Sequence, residues 1–60
     1  MRENWKILVT YKTPEDKIES VMKPIRAPNW LTAQTRAQQA FVASTYGTEF
    51  KFVKAEAQFE

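Results

Sequence analysis

Sixty residues, 43% apolar and 27% charged, with no cysteine and no histidine, describe one small domain over residues 1–60 that has no disulfides. A chain of this length buries only about 60% of the surface it exposes when unfolded, so its core is minimal and a partner is a natural source of extra stability. Nine Lys+Arg against seven Asp+Glu leave a charge of +2 and a pI of 9.2, with no block of like charges. That balance permits nucleic-acid binding without requiring it.

The longest apolar runs, Ile7-Leu8-Val9 and Ala40-Phe41-Val42-Ala43, fall far short of the roughly 18 residues of a membrane span. The opening residues Met1 to Lys6 carry no apolar signal region. The expectation is a soluble, cytoplasmic protein with no membrane contact.

Residues 5–12 alternate as a strand, with Trp5, Ile7, Val9 and Tyr11 on one face and Lys6, Leu8, Thr10 and Lys12 on the other. Thr13-Pro14-Glu15-Asp16 is a type I turn, because proline pre-sets φ at its second position. Residues 18–27 return as a second strand. Pro24 lacks a ladder donor, which places that strand at a sheet edge, where Lys23 and Arg26 discourage unwanted pairing. A short helix over 15–22, ended by Pro24, is the competing reading.

Residues 30–46 read as a helix capped by Asn29 or Thr32, with Gly47, the one glycine, as its left-handed terminator. Trp30, Ala33, Ala37, Ala40, Phe41 and Ser44 share a face and are expected in the core. The last strand is expected over 48–57. Its apolar phase slips from Phe50 and Phe52 to Val53, Ala55, Ala57 and Phe59, which suggests a bulge or a strand covered on both faces. The fold class is therefore α+β, a β-β-α-β domain. Its three-stranded antiparallel sheet has order 2-1-3 with one helix on one face, and order 1-2-3 is the fallback.

Nucleophile–histidine pairs, zinc sets and glycine-rich phosphate loops cannot be built from this composition. Glu15 and Asp16 are adjacent carboxylates, but a solvated turn leaves them untuned for acid–base work. The expectation is a non-enzymatic protein with no cofactor, no metal and no small-molecule substrate.

Two features rise above this background. From Ala27 to Thr48 the only charged residue is Arg36, and the helix side opposite the core carries Leu31, Gln38, Val42 and Tyr46. Loss of charge around exposed aromatic and aliphatic groups marks protein interfaces. The bland reading folds Leu31 and Tyr46 over the helix ends and leaves Val42 as an ordinary exposed residue. The second feature is the uncovered sheet face, where Lys6, Lys12 and Lys51, with Lys23 and Arg26 at the edge, could meet phosphates. Readers of single strands place aromatics on such a face, whereas here the aromatics are expected beneath the helix. Trp5 and Trp30 are read as lids over the ends of the core rather than as binding anchors.

The stretch from Ile25 to Glu56 runs from a hairpin into a helix of the form Ala33-x-x-x-Ala37-x-x-Ala40-Phe41. It then passes through Tyr46-Gly47-x-Glu49 into a last strand. In this it resembles small accessory proteins of tailed bacteriophages and other mobile elements. The resemblance implies an accessory protein that binds a host or viral macromolecule in the host cytoplasm, and it transfers no site residues. The leading expectation is a protein-interaction module that binds a host or viral protein or self-associates as a homo-oligomer. It would do so through Leu31, Gln38, Val42 and Tyr46 or through the edge of the last strand. A weak nucleic-acid binder using the lysines, and a virion structural or assembly component, are the alternatives.

Overall fold

The computed structural model describes residues 4–58, so Phe59 lies outside the described residues. Strands β1 (Asn4–Lys12) and β2 (Ile18–Arg26), helix α1 (Trp30–Ser44) and strand β3 (Lys51–Gln58) follow one another along the chain. The sheet has order β2-β1-β3 and is antiparallel at both junctions. One helix covers one face, so the architecture is the α+β arrangement read from the sequence. The extents of 40 × 21 × 13 Å are those of a slab, which a two-layer fold with one bare sheet face produces.

The β1–β2 turn explains the register. Asp16 N–H donates to the Thr13 carbonyl at 2.9 Å, closing the type I turn, and Thr13 N–H donates to the Lys17 carbonyl at 2.8 Å. Asp16 then sits at φ 69°, the left-handed position that follows a type I turn in a three-residue hairpin loop. Asp tolerates that region better than most residues, and Lys12 pairs with its carboxylate at 2.7 Å. Because Thr13 and Lys17 lie in the same register as the ladder, the odd residues of β2 bond to β1. The even residues Ile18, Ser20, Met22 and Pro24 therefore turn their backbone groups outward. Pro24 occupies one of the positions where a missing N–H costs the ladder nothing.

Among the described residues, Ile7 and Val9 are the two large side chains that are fully buried, and they lie beneath Ala33 and Ala37 of α1. Trp5, Val21, Ile25, Phe41, Phe52, Ala55 and Ala57 pack around that centre. Trp5 acts as the expected lid, its indole N–H donating to the Ala27 carbonyl at 3.0 Å. Trp30 does not bury in the same way and stays exposed.

Several boundaries differ from the sequence reading. The second strand ends at Arg26, and Ala27 is buried beyond it. The helix starts as expected, with Asn29 Oδ1 accepting from Thr32 N–H at 2.8 Å, but it ends at Ser44 rather than 46. Thr45 closes it, its N–H and hydroxyl both reaching the Phe41 carbonyl. Gly47 at φ 82° is left-handed but lies inside a following turn in which Thr48 N–H donates to the Thr45 carbonyl. A positive φ at the third position is what a type II turn requires.

The last strand begins at Lys51, not at 48, because the Thr48 hydroxyl bonds both the Thr45 carbonyl and Phe50 N–H and ties those residues into the loop. The phase slip is a bulge: the β1–β3 register shifts between Thr10 and Tyr11, so Phe52 pairs with Tyr11 while Ala55 pairs with Val9. Ala40 and Ser44, expected in the core, are exposed, because α1 leans toward β3 and away from β2.

Candidate functional site

The outer side of α1 is an apolar and amide surface. Leu31, Val42 and Tyr46 are 58%, 46% and 88% exposed, and Gln38 is exposed between them. Helical spacing sets these residues opposite Ala33 and Ala37, so burying one face necessarily presents the other to solvent. Gln38, Val42 and Tyr46 line a shallow depression together with Thr35, Gln39 and Ala43. Leu31 lies one turn before it, and the Thr35 hydroxyl donates to the Leu31 carbonyl at 3.1 Å. The structure therefore brings the four residues onto one surface. Tyr46 belongs to the turn after the helix rather than to its last turn.

Arg36, the one charge on this helix, does not lie on that surface. Its Nη1 donates to the Arg26 carbonyl at 2.7 Å, which draws the guanidinium toward the end of β2. The depression consequently has no charged side chain among its lining residues. No helix among the described residues is long and apolar enough to cross a membrane.

The five basic candidates do not converge. Lys12 and Lys51 are direct neighbours across β1 and β3, but Lys12 is already paired with Asp16. Lys6 stands at the far end of the same strand, opposite Pro24 and Gln58. Lys23 faces the helix side, and Arg26 lies at the end of β2. Among the described residues, the bare strand face carries Leu8, Met22 and Ile18 beside Thr10 and Ser20, and no aromatic ring. Four rings cluster on the helix side instead: the Tyr11 ring centroid lies 5.2 Å from that of Phe41 and 5.9 Å from that of Phe50, and the Phe41 and Phe52 centroids are 6.2 Å apart.

Sequence reasoning missed a second concave region. Because α1 leans toward β3, an apolar groove of about 450 Å³ opens between the helix and β2. Val21, Ile25, Ala37 and Phe41 form its walls, and Lys23 is the charged residue beside them. The exposed Ala40 and Ser44 line its helix side, which is why they fail to bury. Strand β2 was legible as an edge through Pro24, but the tilt of the helix was not.

Tyr11 closes one end of this groove. Its hydroxyl donates to Glu19 Oε1 at 3.3 Å. Partial desolvation, then the Glu19 charge and this hydrogen bond, raise its pKa above the ordinary 10.0. Comparison of the chain with protein-family models, curated proteins and solved structures returns no match.

Proposed function

We propose that the protein is a non-enzymatic interaction module that docks a host or viral protein onto the outer face of α1. The observation that carries this reading is the conjunction of exposure and neutrality at Leu31, Gln38, Val42 and Tyr46. A helix that only faces water ordinarily carries ion pairs at i, i+4 spacing, and this one carries none. With Arg36 turned toward β2, a partner would meet aliphatic, aromatic and amide groups and would have no charge to desolvate. Ile7 and Val9, the two large fully buried side chains among the described residues, give a thin core, and burial of the helix face would add to it.

The partner surface that fits is uncharged and partly apolar, with amide or hydroxyl groups placed for Gln38 and Thr35. A phage-type accessory role in a host cytoplasm is the setting the sequence resemblance suggests. The test is affinity capture with the wild-type chain beside the double variant Val42→Glu/Tyr46→Lys. A partner held by the wild type and lost by the variant supports the assignment; a partner held equally by both removes it.

A further inference from the structure

We infer that β2 is a homodimerisation edge, pairing antiparallel with β2 of a second copy about a two-fold axis at Val21. The inference concerns a different surface from the helix face and does not depend on it. The two edges of the sheet are unlike each other. β3 is blunted by its bulge, and α1 reaches over it, Gln34 Oε1 accepting from Ala57 N–H at 2.8 Å. Among the described residues, the cover on β2 is at its end, where Arg36 bonds the Arg26 carbonyl. Along the rest of it, Ile18, Ser20, Met22 and Pro24 turn backbone groups outward, and Ile18 and Met22 are 61% and 46% exposed.

The occupant follows from register. Only even residues present outward groups, so self-pairing must set even residues against even ones. With Val21 on the axis, Ser20 and Met22 exchange both bonds with Met22 and Ser20 of the second copy. Ile18 N–H donates to the Pro24 carbonyl of the second copy, and the missing proline donor falls at the end of the ladder. Glu19 then lies opposite Lys23 of the second copy, twice over, and Val21 meets Val21 in the close, non-hydrogen-bonded type of pair.

Neighbouring registers lack this match. An axis at Ser20 sets Lys17 against Lys23, one at Met22 sets Val21 against Lys23, and axes at Glu19 or Lys23 oppose like charges. The lysine that discourages arbitrary pairing is thus complemented, among the self-pairing registers, in this one. The product is a six-stranded sheet, β3-β1-β2-β2-β1-β3, with both helices on one face and the two apolar grooves adjoining across the axis.

Sedimentation velocity on the wild-type chain, from about 10 µM to 1 mM, should show a reversible step from 7.0 kDa to twice that mass. Met22→Pro removes an outward N–H while leaving the β1–β2 ladder intact, as Pro24 does, and should give a folded monomer. Glu19→Lys and Lys23→Glu should each weaken the dimer roughly tenfold or more, and an equimolar mixture of the two should form a heterodimer through restored opposite pairs. A wild-type monomer throughout overturns the inference. So does a dimer that survives all three substitutions, or single-charge variants that fail to pair when mixed. A dimer lost in Val42→Glu/Tyr46→Lys but retained in Met22→Pro would move self-association to the helix face. That result would refute the edge and leave the helix surface standing.

Discussion

Replacing Ile7 and Leu8 by alanine, one at a time, asks which face of β1 carries the fold. Ile7 is fully buried beneath Ala33 and Ala37 and lies between Lys23 and Ala57 in the sheet. Ile7→Ala removes three carbons, worth about 2.4 kcal/mol in transfer terms. The small side chains above it have few atoms with which to fill the space, so a cavity term brings the loss to about 3–4 kcal/mol. Leu8, half-buried on the bare face between Met22 and Glu56, loses the same atoms from a site already partly wet, at a cost of about 1.2 kcal/mol. A domain of this length has roughly 3–9 kcal/mol in total, so Ile7→Ala should be largely unfolded or nearly so while Leu8→Ala stays folded. Urea titration followed by circular dichroism measures both. Equal losses, or a larger loss at Leu8, would mean that the helix does not sit on the Ile7 face and would refute the packing described above.

Asp16→Gly should raise stability by about 0.5–1 kcal/mol, because glycine adopts the left-handed turn position without strain and the exposed Lys12 pair it removes contributes little. A loss of stability in the same urea assay would show that the ion pair outweighs the backbone. Glu19→Gln should lower the pKa of Tyr11 toward, but not down to, its ordinary value, since partial burial remains after the charge is gone. Ultraviolet titration reads this directly, and an unchanged Tyr11 would separate the phenol from Glu19. In the wild type the raised pKa contributes stability that is complete below the ordinary tyrosine value. That contribution is lost as pH rises through the folded-state value, so thermal stability should fall in strongly alkaline buffer.

Strand β1 was legible because its alternation is unbroken, and the helix because the Asn29 cap and the Ala33–Ala37 spacing agree; Gly47 overstated its length, since Thr45 closes the helix and Gly47 serves the turn after it. The start of β3 was not. Thr48 and Phe50 carry strand-like side chains, but a single hydroxyl with two backbone partners holds them in a loop, and nothing in strand propensity anticipates that. The slip between Phe52 and Ala55 was visible as a slip and became a bulge only through the register with Thr10 and Tyr11. Ala40 and Ser44 fail as core residues for a different reason. Periodicity fixes which stripe of a helix turns inward, not which strands that stripe lies over.

The neutral helix face could be read directly, since charge depletion is a property of composition. The match of Glu19 with Lys23 across an edge could not. It depends on which residues of β2 point outward, and that is set by the Thr13–Lys17 hydrogen bond and the left-handed Asp16.

Site-specific photo-crosslinking in the cell of origin decides which surface meets the partner. A photoreactive residue would replace Tyr46 on the helix face in one experiment and Lys51 on the bare sheet face in another. Docking on the helix face should give a defined protein adduct from position 46, suppressed by Val42→Glu, and none from position 51. An adduct from position 51 alone, whether to protein or to nucleic acid, would place the working surface on the open sheet and contradict it.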